Sequence, residues 1–272
     1  MTAPRTHLAM GPRPLLGYWP EVVRRLRATD RWLLLLDFDG TLVPMVDDPN
    51  GVSLDPPVQR VLCQLARHRG SSVYIMSGRR LADLRRRVRI PGVRLLGLYG
   101  WEKPGATLPP EQKRLLRRAK RWLAQWLPAL PGIELEDKGF ALAVHYRGAR
   151  LPVVRLAGLI VLLARDLSRA GLHLLKGKNI WELLPRAVGG KGRATQGLLE
   201  GLPADTMPIF IGDDTTDESA FAVIRHGLAV RVGGPTKTQA PFCLRNPGEV
   251  REFLERLEAV ISCKESHPHF NS

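Results

Sequence analysis

The sequence predicts an α/β fold: a parallel sheet flanked by helices and interrupted by an antiparallel insert. Three observations lead there. From Trp32 onward, short apolar runs recur without polar alternation, as expected of strands buried on both faces. Segments of helical periodicity separate those runs. Midway along the chain the rhythm changes to closely spaced strands joined by Gly-containing turns.

The first block reads "WLLLLDF", "PVQRVLCQLARHRG", "SVYIMSG", "LADLRRRV" and "VRLLGLYG", which is strand and helix in alternation. The alternation resumes as "GGKGRATQGLLEGL", "MPIFIGDD", "ESAFAVIRHG", "LAVRVG" and a last helix in "PGEVREFLERLEAVIS". Between the blocks lies a helix around Lys113. In it Leu115, Leu116, Ala119, Trp122, Leu123 and Trp126 recur at helical spacing, with Lys113, Arg114, Arg117, Arg118 and Arg121 between them. Then come strands in "GIELEDKG" and "FALAVHYRG", a helix beginning near Pro152, and strands in "LHLLKGK" and "NIWELLP". Turns are expected at Lys138-Gly139 and at Gly177-Lys178-Asn179, and hinges near Pro104-Gly105 and Pro185 to Gly190. The expected organisation is an N-terminal extension over 1–28 with a helix over Pro20 to Ala28, a core over 29–104 and 186–272, and an inserted domain over 105–185.

The 272 residues, 44% hydrophobic and 25% charged, are enough for a well-filled core, and disorder is not the default expectation. The net charge of +15 raises nucleic acid as a partner, and a basic nucleic-acid-binding or regulatory protein is the non-enzyme alternative. Aromatics make up only 6%, and the basic run at Lys113 reads as a solvated helix face, so a nucleic-acid partner is disfavoured. Cys63, Cys243 and Cys263 are odd in number and lack metal-ligand spacing, which favours a reducing compartment. The N-terminus lacks the apolar segment of a secretory signal, and "LAGLIVLLA", Leu156 to Ala164, is too short to span a bilayer. A cytoplasmic protein without a membrane partner is expected.

The chemistry concentrates at strand ends, where open α/β sheets bind ligands. Asp37 and Asp39 follow four leucines, and residues two apart in extended chain point the same way. Their paired charge calls for a cation or a shared proton, and a hard divalent ion such as Mg²⁺ suits oxygen ligands. An isolated Asp-x-Asp is more often a turn or a cap, but further motifs accompany it. Ser77 and Gly78 end another strand at a helix start, where free N–H groups and a hydroxyl suit an oxyanion. Asp213, Asp214 and Asp217 follow "PIFIG", and Lys191 follows a Gly pair. Lys191 does not belong to a nucleotide-binding P-loop, because Pro185 stands where the first Gly is required and Gly192 follows the lysine.

These motifs, in this order, resemble the haloacid dehalogenase superfamily of phosphatases: "DFDGTL" its first motif, "SGR" its second, Lys191 its third and "GDDTTDE" its fourth. The resemblance implies a Rossmann-like hydrolase core with an inserted α+β cap of the C2 type. Within the superfamily, "ELEDKGFALAVHYR" and "GDDTTDE" followed by "AF" resemble the trehalose-6-phosphate phosphatase family. By that resemblance Asp37 is the nucleophile and Asp39 the general acid and then base. Mg²⁺ is held by the Asp37 side chain, the Asp39 carbonyl and Asp213. Asp214 orients Lys191 or acts outside the direct metal ligands. Ser77, Lys191 and backbone N–H groups near Thr41 and Gly78 hold the phosphoryl group, and Arg79, which completes the second motif, binds substrate. Glu136, Lys138 and Glu182 bind sugar hydroxyls, and Arg147 reaches toward the phosphate, while His145 is structural. Two positions depart from the family pattern: Tyr99 stands where relatives often carry His or Asn, and Leu184 where an Arg is common. The implied reaction is Mg²⁺-dependent hydrolysis of trehalose 6-phosphate, with another sugar phosphate such as sucrose 6-phosphate as the alternative substrate.

Overall fold

A computed structural model describes residues 11–46, 51–127, 130–149, 171–177, 179–234 and 237–266. Among the described residues eleven strands form two sheets. The larger contains β1 (Arg13–Pro14), β2 (Arg31–Leu36), β3 (Ser71–Met76), β4 (Arg94–Leu96), β9 (Thr206–Gly212), β10 (Leu228–Val232) and β11 (Phe242–Leu244). Its order is β1-β11-β10-β9-β2-β3-β4, and every neighbouring pair is parallel. From β2 the chain builds outward through β3 and β4 on one side, and β9 to β11 build outward on the other. The switch point therefore lies between β2 and β9, where Leu36 pairs with Ile211.

The four leucines before Asp37 have no polar alternation because both faces of β2 are covered. Leu34 and Leu36 pack in one core layer with Leu62, Phe253 and Leu257 from α2 (Pro56–Arg67) and α7 (Pro247–Ser266). Leu33 and Leu35 pack in the opposite layer with Phe210, Ala220 and Phe221, beside α5 (Gly190–Leu199) and α6 (Glu218–Phe221). Such double burial fixes the strand rigidly behind its carboxylates.

The smaller sheet, β5 (Glu134–Asp137), β6 (Leu142–His145), β7 (Leu172–Gly177) and β8 (Ile180–Pro185), is antiparallel in the order β5-β6-β8-β7. Its register sets Glu136 opposite Ala143 and Ala143 opposite Glu182, so one row on one face carries both carboxylates. The alternate positions Val144, Trp181 and Leu183 join Leu116, Ala119 and Leu123 of α4 (Pro110–Trp126) in a separate core. On the other side of α4, Lys113, Arg114, Arg117, Arg118 and Arg121 are exposed, as a solvated face requires. The turns at Lys138-Gly139 and before Ile180 use positive φ at Gly139 (75°) and Asn179 (61°). The helix expected near Pro152 lies outside the described residues, as does the "LAGLIVLLA" run.

One boundary differs from expectation. Residues 1–28 were expected to stand outside the core, but Arg13–Pro14 pairs with β11 and α1 (Trp19–Arg27) buries Val22 and Leu26 in the main layer. A two-residue strand has no periodicity to read, and neither does the three-residue β11. Among the described residues no helix is long and apolar enough to cross a membrane. Cys63, Cys243 and Cys263 form no disulfide.

Candidate active site

The ends of β2 and β9 bring acids from distant segments together. A carboxylate oxygen from each of Asp37, Asp213 and Asp217 lies within 4.8 Å of the others. Lys191, in the first turn of α5, donates from Nζ to Asp37 Oδ1 at 2.5 Å and to Asp217 Oδ1 at 2.6 Å. All three groups are buried, and a buried ammonium between two carboxylates repays its desolvation only with such close geometry. Burial alone lowers the basicity of Lys191, but the Asp217 and Asp37 charges hold it above its ordinary value, so it stays an ammonium.

The acids feel the same burial in the opposite sense. Asp37 is pushed well above the usual carboxylate range by burial, with Lys191 opposing and Asp217 and Asp213 adding to the rise. Burial, then the Asp217 charge, raises Asp213 to about 6. Such a cluster is short of positive charge. The backbone is shaped to let it form: at Gly40, where φ is +84°, a Cβ would lie 2.1 Å from Asp213 Oδ2. Gly212 is constrained similarly, since a Cβ there would meet the Asp217 carboxylate at 2.3 Å.

Asp214 does not orient Lys191, contrary to the first of its two expected roles. Its Oδ1 accepts from Thr215 N at 2.7 Å and caps the turn that follows β9. That turn carries Asp217 back beneath the strand end, where its Oδ2 accepts from Asp214 N at 2.9 Å and its Oδ1 from Lys191. The signal was in the sequence as the three-residue spacing of a capping box, Asp214 to Asp217, which leaves the first acid turned to the backbone.

The second motif lies alongside. Ser77 is buried at the end of β3, and its Oγ accepts from Arg79 N at 3.1 Å, leaving its proton to donate. Thr41, fully buried in the loop after β2, has no protein partner for its hydroxyl among the described residues. Arg79 grips Asp39 with two bonds of 2.7 Å, from Nε and Nη2. Asp83 in α3 (Leu81–Arg87) holds Arg79 Nη1 at 2.9 Å. Against the effect of burial, hydrogen bonds from Arg87, Arg79 and Arg86 bring Asp83 down to about 2. Asp83 was not anticipated as part of this network, because only the turn into α3 brings it to Arg79.

Two of the expected cap residues meet the core here. Lys138 donates to Glu182 Oε1 at 2.5 Å and to the Gly78 carbonyl at 3.2 Å. Tyr99, unanticipated as a site residue, donates its phenol hydroxyl to Glu182 Oε2. Burial, with a smaller push from Asp214, raises the Glu182 carboxyl to about 8, and burial lowers Lys138. The Lys138 contact at 2.5 Å opposes both shifts, and with a donor on each of its oxygens Glu182 is held as a carboxylate. Glu136 pairs with His145 at 2.9 Å near the surface, a diagonal contact across the sheet that accounts for His145 structurally. Arg147 is exposed beyond the end of β6.

Tyr99 owes its direction to unusual backbone. It and Leu98 have φ of 61° and 44°, a left-handed conformation that costs an L-residue about 1–2 kcal/mol. Bonds of 2.9 Å from Leu98 N to Arg79 O and from Tyr99 N to Ser77 O hold the turn in place.

The sequence model described as trehalose-phosphatase matches residues 35–243. A trehalose-phosphate phosphatase of Mycobacterium marinum is 36% identical over 271 residues, covering 89% of this chain and 67% of the relative. Its Mycobacterium tuberculosis counterpart is 35% identical over 240 residues, covering 82% of this chain. The chain spans only 60% of that second relative's length. Among solved structures, the trehalose-6-phosphate phosphatase of Aspergillus fumigatus superposes with a TM-score of 0.69 at 25% identity, covering 92% of this chain and 99% of the other. The C-terminal domain of the Candida albicans enzyme shares the fold, with a TM-score of 0.78 at 24% identity over 92% of this chain and 99% of that one. Together with the acid and lysine array at the switch point, these matches identify the chain as a member of the trehalose-phosphatase family.

Proposed function

We propose that this chain is a Mg²⁺-dependent phosphatase that hydrolyses trehalose 6-phosphate to trehalose and inorganic phosphate. The observation that carries the reading is the Asp37, Lys191 and Asp217 array beside Asp213, with Lys138 of the cap, paired to Glu182, reaching the carbonyl of the adjacent Gly78.

A divalent cation fits the acids at hand. Asp217 has both oxygens engaged, by Lys191 and by Asp214 N, which leaves it the role of fixing the lysine. Asp37 gives Lys191 one oxygen, and the raised Asp213 carboxyl is what clustered acids with too little positive charge produce. Asp37, Asp213 and the Asp39 carbonyl would hold the ion, and an all-oxygen set suits Mg²⁺. When bound, the ion neutralises phosphoryl oxygens and lessens their repulsion of the attacking carboxylate.

The chain's own groups supply the remaining steps. Asp37 attacks phosphorus, the bond from phosphorus to the sugar oxygen breaks, and Asp39 gives that oxygen a proton. Asp39 then takes a proton from water, which attacks the aspartyl phosphate and frees both phosphate and Asp37. Ser77 and Thr41 hydroxyls, the Gly78 N–H and Lys191 hold the phosphoryl oxygens. Arg79 grips both Asp39 oxygens in the resting arrangement, so the substrate's phosphate, an anion it pairs with equally well, has to draw it aside. Glu136, Lys138 and Glu182 take up sugar hydroxyls, with Arg147 toward the phosphate side.

The test is phosphate release from a panel of sugar phosphates with and without Mg²⁺. Trehalose 6-phosphate should be hydrolysed far faster than glucose 6-phosphate or sucrose 6-phosphate, and only with the metal. Equal rates across the panel contradict the substrate, and full turnover in a chelator contradicts the cation.

A further inference from the structure

We propose that Tyr99 is a specificity-determining residue, whose phenol hydroxyl competes with sugar hydroxyls for the Glu182 carboxylate and so latches the cap sheet onto the core. The sugar half of this statement rests on the function proposed above; the latch itself does not.

The strained turn at Leu98 and Tyr99 is tied by its backbone to Ser77 and Arg79, so Tyr99 belongs to the core's phosphate-binding side. Its side chain nevertheless belongs to the cap's apolar cluster, which also holds Leu184, two residues along β8 from Glu182 and on the same face. The phenol then reaches Glu182 Oε2 on β8, one of the two central cap strands. Lys138 closes the circuit, donating to Glu182 Oε1 at 2.5 Å and to Gly78 O at 3.2 Å. Gly78 completes the fit, since a Cβ there would come 3.0 Å from the Tyr99 ring. Two core residues and two cap residues thus satisfy one another across the junction.

Glu182 is 1% exposed and has a donor on each oxygen. A sugar hydroxyl that binds there has to replace one of those donors or crowd in beside it. The Lys138 bond is charge-assisted, whereas the phenol is a neutral donor, so the phenol is the one exchanged. A substrate with a hydroxyl at this place exchanges the latch for its own hydrogen bond. A small ester without one leaves the latch closed. By thermodynamic linkage, removing the phenol hydroxyl destabilises the resting enzyme but not the sugar complex, and tightens only the sugar-bearing substrate.

The test is Tyr99→Phe, which keeps the ring and the turn. In full-length protein without substrate, deuterium exchange of peptides over 134–146 and 180–186 should quicken about threefold to tenfold, as expected for loss of one buried hydrogen bond. With whichever sugar phosphate the wild type hydrolyses fastest, KM should fall by about the same factor, while kcat/KM for p-nitrophenyl phosphate stays within about twofold. In a Glu182→Met background, adding Tyr99→Phe should change exchange no further. Unchanged exchange in the single variant overturns the latch, as does an additive effect in the double variant. A rise in KM for the sugar phosphate overturns the competition, and equal changes for both substrates mark a merely structural role. If the wild type prefers a sugar other than trehalose 6-phosphate, the proposed substrate fails while the latch is still decided by exchange and by that sugar.

Discussion

Lys191 Nζ lies 2.6 Å from Asp217 Oδ1 and, on its other side, 2.5 Å from Asp37 Oδ1. One buried ammonium thereby fixes the carboxylate proposed to attack phosphorus against a partner from a segment 180 residues away in the chain, Asp37 to Asp217. Replacing Asp217 takes away one of the two carboxylates that anchor the buried Lys191 ammonium and the acceptor that holds the turn after β9. Asp217→Asn should therefore lower the melting temperature and reduce kcat at least about a hundredfold, a loss of 2.7 kcal/mol or more in transition-state stabilisation. Asp214→Ala, which removes a turn cap, should cost about 1 kcal/mol of stability and less than about tenfold in kcat. Thermal melts and steady-state kinetics of the two variants check this contrast.

Gly40→Ala probes the close approach of the β2 loop to β9. At φ +84° with Asp213 Oδ2 2.1 Å from an added Cβ, the variant has to move either the loop or the acid. The expected outcome is destabilisation by more than about 1 kcal/mol, together with a higher Mg²⁺ concentration for half-maximal activity. A Mg²⁺ titration of activity checks the second part, and an unchanged midpoint counts against Asp213 as a ligand.

Asp83 predicts an acid limb in stability. Its folded pKa of about 2 lies below its ordinary value of 3.8, so the stability it contributes is fully present above about pH 4 and is lost as pH falls through 2. Asp83→Asn should lower stability at pH 7 and flatten the decline between about pH 4 and 2, as seen in denaturant melts across that window. An acid limb as steep as the wild type's would show that the arginines around Asp83 do not hold it ionised.

The basic face of α4 should be dispensable for turnover. Arg117 and Arg118 are exposed, and converting both to Gln should change kcat and KM by less than about twofold at moderate salt. A larger loss in a phosphate-release assay would assign that face a part in substrate capture.

Much of this architecture was legible because it rests on patterns with a period. The leucines of β2 announced a strand covered on both faces, and the alternation of α4 announced one buried and one solvated face. Asp37, Ser77, Lys191 and Asp213 could be nominated because strand ends are where such a sheet gathers its ligands. What escaped notice depends on geometry without a periodic trace. Arg13–Pro14 is too short to alternate, and Asp217 reaches Lys191 only through the turn that Asp214 caps. Tyr99 was marked only as a departure from the family pattern, and its left-handed backbone is not announced by a glycine, so its direction toward Glu182 was invisible.

The central claim is that Asp37 itself receives the phosphoryl group. Rapid acid quenching of the enzyme during turnover of trehalose 6-phosphate, followed by peptide mass mapping, tests it most directly. The account predicts one added phosphoryl group on the peptide containing Asp37, and neither that adduct nor turnover in a folded Asp37→Asn variant. Phosphate release with the label elsewhere, or wild-type turnover by the folded variant, would contradict it.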